Sequence, residues 1–111
     1  LENERTMKDM QQEVDRYISQ FKEGYFPPME LLARLTEELG ELAREVQHVH
    51  GMKKKKSDEA EKSLEEELGD LFFVLICFAN SNGIEMDRAL GTVLEKFRTR
   101  DRDRWTKIGE E

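Results

Sequence analysis

Cysteine occurs once in these 111 residues, as Cys77, so no internal disulfide framework can hold the chain together. Proline occurs twice, side by side at Pro27 and Pro28, so long helices can run uninterrupted on either side of them. No stretch of useful length alternates apolar and polar residues, which removes the pattern of half-buried strands. The longest wholly apolar run, residues 71–79, is about half of what a membrane span needs. No charged-then-apolar leader opens the chain, so no secretory signal is expected. Positive charge is in deficit: 18 Lys and Arg against 25 Asp and Glu give a net charge of -7. That balance disfavours nucleic acid as a partner, because such binding depends on lysines and arginines paired with phosphates. A polyphosphate remains accessible to an acidic protein if cations mediate the contact. The expectation is a cytoplasmic protein with no membrane and no nucleic-acid partner.

What the chain has in abundance is helical periodicity. Charged residues make up 39% and mean hydropathy is -0.79, values that suit disorder only if the apolar residues are scattered. They recur instead at three- and four-residue steps. Met7, Met10, Val14, Ile18 and Phe21 predict a helix over about 6–22, stopped by Gly24 and the two prolines. Leu31, Leu35, Leu39, Leu42, Val46 and Val49 predict a second over about 29–50, stopped by Gly51. The lysines at 53–56 read as a solvated linker. A third helix is expected over about 58–81, capped by Ser57 or Asp58, and a fourth over about 86–104 on Ala89, Leu90, Val93, Leu94 and Phe97. At this length the chain makes one domain, residues 1–111. The fold expected is an all-α antiparallel four-helix bundle. After Asp70 the third helix is apolar on all sides and has to be covered all round, which predicts that a second subunit completes the bundle as a homodimer or homotetramer.

Two segments share one pattern: Glu37, Glu38, Leu39, Gly40, Glu41, and Glu66, Glu67, Leu68, Gly69, Asp70. In each, acids three apart project within about 60° of one another on a helix. Glu67 points within about 20° of Val74 and Phe78, and Asp70 points the same way as Cys77, one turn before the apolar run. Glu38 borders the stripe of Leu31, Leu35 and Leu42. Antiparallel packing of these two helices brings four carboxylates together, and such a cluster repels itself unless cations hold it. Oxygen donors without histidine or cysteine suit Mg²⁺ or Mn²⁺. Solvated surface is the ordinary reading of any single such pair. Two pairs in matching blocks, each facing an apolar stripe, favour a metal site. Gly40 and Gly69 each cost roughly 1 kcal/mol of helix stability against alanine, which a close helix approach or room for a ligand explains.

At these residues the chain resembles the MazG-like branch of the all-α nucleoside triphosphate pyrophosphohydrolases, whose signature is E-x-x-E on one helix and E-x-x-D on another. Glu38 with Glu41 and Glu67 with Asp70 match it, joined by 25 residues. The likeness extends through Asn82, Gly83, Ile84, Ala89, Leu90, Lys96 and Phe97, and the arginine-rich ending before Trp105 is similar to short bacterial YpjD-type members. The resemblance implies that Glu38, Glu41, Glu67 and Asp70 ligate Mg²⁺, with Mn²⁺ as a substitute. It also implies splitting of the α–β linkage of a nucleoside triphosphate, with release of pyrophosphate, as nucleotide-pool clean-up. Glu37 is the candidate catalytic residue, to orient or deprotonate the attacking water. Lys96 and Arg100, four apart, match a basic pair placed near phosphate or sugar. One departure bears on the substrate: family members carry asparagine at positions matching Leu94 or Phe97, so base preference does not carry over.

The competing function is a non-catalytic acidic helical module for oligomerisation or interaction. A di-iron bundle is disfavoured because neither pair contains histidine. His48 and His50 are expected to face solvent, Cys77 to be inert packing, Tyr17, Phe21, Tyr25 and Phe26 to be mostly core, and Trp105 to pack the tail against the bundle.

Overall fold

The computed structural model describes residues 4–51 and 57–110, and of 57–62 the backbone only. The lysine linker and the capping side chains expected at 57 and 58 lie outside the described residues. Four α-helices follow in order: α1 (Met7–Ser19), α2 (Pro28–His50), α3 (Ser57–Ser81) and α4 (Met86–Thr99). Among the described residues there is no strand, so the architecture is all-α as expected.

Local chemistry accounts for the helix ends. Thr6 caps α1 by accepting from Asp9 N (3.0 Å), while the Asp9 carboxylate accepts from Thr6 N (3.1 Å), a reciprocal box of the kind that stabilises a helix start by about 1 kcal/mol. Gly24, at φ 63°, turns the chain back toward α2, where Pro28 occupies the first turn without leaving a helical carbonyl unpaired. At the end of α3, Gly83 takes φ 68°; Ile84 N donates to Ala79 O (2.8 Å) and Gly83 N to Asn80 O (3.2 Å), a Schellman termination. α4 stops at Thr99 rather than near 104. Beyond Phe97 no apolar residue precedes Trp105, and the alternating Arg and Asp residues pair with sequence neighbours rather than one helical turn away.

α2 and α3 form an antiparallel pair, with Leu31 beside Val74 and Cys77 at one end and Glu38 beside Glu67 and Asp70 further along. α1 lies across α3 and adds Val14 and Ile18, with Tyr25, Leu35 and Phe78 closing the cluster. A polar network ties α1 to the α3–α4 elbow. Gln11 Nε2 donates to Asn80 Oδ1 and Ile84 O, Gln11 Oε1 accepts from Met86 N, and Asn80 Nδ2 donates to Gln11 O, all at 2.9 Å. Asn80 Nδ2 also donates to the Tyr25 hydroxyl (3.0 Å), which itself donates to Asp15 Oδ1 (2.7 Å). Burial, and then the hydrogen bond to Asp15, push the Tyr25 phenol up to about 12. Because the folded value lies above the ordinary 10.0, the neutral phenol supports the fold below about pH 10 and that support is lost as pH rises through about 12. Of the two tyrosines, one therefore ionises late in an ultraviolet titration, and Tyr25→Phe removes that late phase. A titration unchanged by Tyr25→Phe contradicts the network.

Two features leave the single chain open. α4 departs from α3 at 99° and has no buried residue. The Cα radius of gyration is 17.8 Å, against about 13 Å for a compact chain of this length. Leu32, Leu39 and Val46 on α2 and Leu68 and Leu75 on α3 are exposed at seven-residue steps. Since the helices are antiparallel, helical phase places both rows on the same side of the pair. No single helix among the described residues is long and apolar enough to cross a membrane.

Candidate functional site

The carboxylates of Glu38, Glu67 and Asp70 each offer an oxygen, and the three oxygens lie within 4.8 Å of one another. Helical phase explains the meeting. Glu38 sits two turns after Leu31 on the α2 face that meets α3, and Glu67 and Asp70 sit one to two turns before Val74 and Cys77 on the facing stripe. Glu38 and Glu67 are half-buried; Asp70 and Glu41 are exposed. One oxygen each of Glu38 and Glu67 is fully buried with no hydrogen-bond partner. Buried carboxylate oxygens without partners are costly unless something else satisfies them. The fourth acid, Glu41, stands outside that group of three but close enough to Glu67 to help raise its carboxyl.

Electrostatics tell the same story. Desolvation pushes the Glu38 carboxyl above its ordinary value, and Glu41 and Asp70 add to the effect; Arg34, one turn earlier on α2, opposes it. Desolvation also raises Glu67, followed by the hydrogen bond and charge of Glu41 and the charges of Asp70 and Glu38. The bare cluster therefore resists ionisation. Hard oxygen donors, concentrated negative charge and two unsatisfied oxygens suit a divalent cation of the Mg²⁺ type.

Other candidates lie at varying distance. Glu37 is exposed beside the cluster and close enough for its charge to act on Glu38. Lys96 and Arg100 are not brought to the acids within one chain. Arg100 forks onto Asp101 through Nε (3.0 Å) and Nη2 (2.8 Å), and Lys96 lies over the Phe97 ring at 6.0 Å. The expectation that both histidines face solvent fails for His48, whose Nδ1 lies 3.3 Å from Oε2 of the buried Glu45. Glu45 itself was missed, although its spacing of seven from Glu38 and fourteen from Leu31 puts it on the same face of α2. Arg34 was missed too; its position four residues before Glu38 is the signal that finds it.

The aromatic residues near α1 are less buried than their periodicity suggests. Tyr17, Phe21 and Phe26 are exposed, with Tyr17 edge-on to Phe21 (5.3 Å) and Phe73 (6.3 Å). Of these, Tyr17 borders a cleft of about 580 Å³ between α1 and α3, lined also by Met10, Val14, Gly69, Phe72 and Phe73, with Arg5 and Glu13 beside them. Trp105 does not pack the tail down: it is exposed, with the Arg104 guanidinium 5.3 Å from its ring. A Cβ on Gly40 or Gly69 would meet nothing within 4 Å, so within one chain neither glycine serves a close helix contact. Cys77 is buried among apolar side chains and its thiol is raised by desolvation, as inert packing requires.

Comparison with known proteins agrees with this geometry. The family described as "MazG nucleotide pyrophosphohydrolase domain" matches residues 26–105, a span that holds all four acids. The chain is 62% identical over 108 residues to the uncharacterized protein YpjD of Bacillus subtilis (strain 168), covering 97% of each. Among solved structures it is similar to the Bacillus-conserved MazG protein, a nucleotide pyrophosphohydrolase, with a TM-score of 0.78 at 57% identity over 91% of this chain and 98% of that one. It is also similar to the putative pyrophosphatase YpjD from Bacillus subtilis, with a TM-score of 0.81 at 61% identity over 87% of this chain and 99% of that one.

Proposed function

The chain belongs to the MazG nucleotide pyrophosphohydrolase family, and from that membership we propose that its acidic cluster is the catalytic centre for hydrolysis of a nucleoside triphosphate to the monophosphate and pyrophosphate. The pyrophosphohydrolase activity follows from the family; the assignment of residues is ours. Glu38, Glu41, Glu67 and Asp70 hold Mg²⁺, with Mn²⁺ able to substitute. The observation that carries this assignment is the pair of buried, unpartnered oxygens on Glu38 and Glu67, in a cluster with the Asp70 carboxylate.

When bound, the cation neutralises the triphosphate and polarises the bond to be cleaved. The chain's own groups do the rest. Glu37 stands at the solvent edge of the cluster and orients or deprotonates the attacking water. The water oxygen bonds to phosphorus, the bridging α–β P–O bond breaks, and the water proton leaves through that carboxylate. Lys96 and Arg100 supply positive charge for the phosphates. The largely apolar cleft between α1 and α3 includes Gly69, the neighbour of Asp70 in sequence, and has the volume of a small-molecule site, so the nucleoside lies there. The protein works as a homodimer or homotetramer in the cytoplasm, and nucleotide-pool clean-up is its role.

A panel of canonical and modified ribo- and deoxyribonucleoside triphosphates with Mg²⁺, run beside Glu67→Ala, tests this. Wild type is expected to release equal amounts of monophosphate and pyrophosphate from at least one substrate, and Glu67→Ala none. A folded wild type silent across the panel, whose melting is unmoved by Mg²⁺, returns the protein to the non-catalytic interaction reading.

A further inference from the structure

We propose that the cleft between α1 and α3 selects guanine nucleotides, with Glu13 and Arg5 reading the edge of the base. The proposal rests on the pyrophosphohydrolase reading above and names the base that reading leaves open.

The cleft has two matched walls. Met10, Val14 and Tyr17 form the α1 wall, and Phe72, Phe73 and Ile76 the α3 wall, each set at three- and four-residue steps along its helix. Rings, a thioether and branched chains take the flat faces of a base with little regard to its identity. Identity has to be read by polar groups, and two charged ones line the cleft, Arg5 and Glu13. Arg5 Nη1 donates to Glu13 Oε2 at 2.6 Å, joining the residue before the N-cap of α1 to one about two turns into the helix. That bond uses one nitrogen and one oxygen, which leaves a second guanidinium nitrogen and a second carboxylate oxygen for a ligand. Both side chains are more than half exposed, so a ligand reaches them.

Position orients the nucleotide. Gln11 meets Asn80 and Tyr17 meets Phe73, so α1 runs antiparallel to α3 and Glu13 falls opposite the stretch near Ile76. Gly69, seven residues before Ile76 and next to Asp70 in sequence, lines the cleft too. Seven residues of helix span about 10 Å. The phosphates therefore lie toward Gly69 and the acids, and the base toward Glu13 and Arg5. A Cβ at Gly69 would meet nothing within 4 Å, so the sugar has room between the two ends.

Hydrogen-bond chemistry then chooses the base. Guanine carries two neighbouring donors, N1–H and the 2-amino group, which match one carboxylate, and acceptors O6 and N7, which match a guanidinium. O6 lies beside N1–H, so a carboxylate and a guanidinium standing side by side meet the base edge in the right order. Adenine and cytosine place a ring lone pair beside their amino donor, and uracil and thymine flank their single N–H with two carbonyl oxygens. Each of these turns an acceptor toward the Glu13 carboxylate. Arg5 and Glu13 both lie outside residues 26–105, the span that matches the family, so family membership does not assign them a role.

Two measurements test this, one of them without turnover. Binding of GMP, AMP, CMP and UMP to the whole chain with Mg²⁺ is followed by calorimetry. GMP is expected to bind at least about tenfold more tightly than the other three, the discrimination that one bidentate pair provides. Glu13→Gln replaces the carboxylate by an amide that both donates and accepts, which fits adenine. In that variant GMP is expected to bind more weakly and AMP more tightly, so that their affinity ratio falls by about tenfold or more. Arg5→Ala is expected to weaken GMP. The ratio of kcat/KM for GTP to that for ATP is expected to follow the same order in wild type and variants. Damage to helix packing weakens all four nucleotides together and does not invert their order. A wild type that binds the four alike or not at all, or a GMP-to-AMP ratio unmoved by Glu13→Gln, overturns the proposal. A wild type that prefers GMP yet hydrolyses no triphosphate keeps the base cleft and loses the pyrophosphohydrolase reading. One that hydrolyses triphosphates without regard to base keeps that reading and defeats the guanine assignment.

Discussion

Glu38→Gln will abolish pyrophosphate release, by a factor of at least about 100, or about 2.7 kcal/mol of transition-state stabilisation, while making the metal-free protein melt at a higher temperature at neutral pH. The two effects have one cause. Desolvation, Glu41 and Asp70 hold the folded-state pKa of Glu38 above its ordinary 4.5, and Glu67 is raised in the same way. A raised carboxyl favours the protonated form in the native state. These two carboxyls therefore contribute stability to the metal-free protein that is fully present below the ordinary carboxylate range and is lost as pH rises through their raised folded-state values. Glutamine keeps the shape and removes the charge, so the variant loses less over that window. Adding Mg²⁺ at neutral pH should raise the wild-type melting temperature, because it binds only the folded cluster. At acid pH, and in Glu38→Gln, that gain should shrink or vanish. Thermal melts at several pH values, with and without Mg²⁺, make the comparison. A variant that retains full activity, or a metal-free variant that melts lower than wild type, removes Glu38 from the site.

Leu39→Asp will dissociate the proposed oligomer into 13.1 kDa monomers that keep their helical content and lose activity. Leu39 is more than half exposed in the single chain, so an aspartate there costs the isolated fold little. In a two-fold interface the same substitution acts twice. Removing two leucine side chains from apolar contact costs at least about 3 kcal/mol, or more than a hundredfold in the dissociation constant, before any cost of burying the carboxylate. Leu75→Asp, on the same side of the helix pair, should behave alike. Sedimentation of wild type and both variants is the measurement. A wild type that sediments as a monomer defeats the proposed oligomer. Dimeric but inactive variants place these leucines in the site rather than at the interface.

Helix bounds on α2 and α3 were legible to within a residue or two, because local signals set them: paired prolines before α2, Gly51 after it, and Asn82 with Gly83 after α3. Where no such signal exists the reading drifted. α4 ends at Thr99, five residues short of the end its sequence predicts, since arginine favours a helix wherever nothing forbids one, and here no apolar anchor follows Phe97 before the chain turns. The aromatic residues at and after the end of α1 have the periodicity of a core face, yet Tyr17, Phe21 and Phe26 are exposed and Tyr17 borders an open cleft. Periodicity reports which residues share a side, not what stands opposite them.

The sequence by itself determined the all-α class, the order of the four helices, the absence of disulfide support and the pairing of acids three apart. All are properties of neighbours within a few residues, where the 3.6-residue turn leaves little freedom. Tertiary structure alone decided how those acids are used. It placed oxygens of Glu38, Glu67 and Asp70 within 4.8 Å of one another, and left Glu41 outside that group. It also buried Glu45 against His48 and set α4 at 99° to α3, away from the acids its cations were expected to serve. Those outcomes depend on the relative rotation of packed helices and on one elbow, which are fixed by contacts between residues up to 75 positions apart, such as Gln11 with Met86.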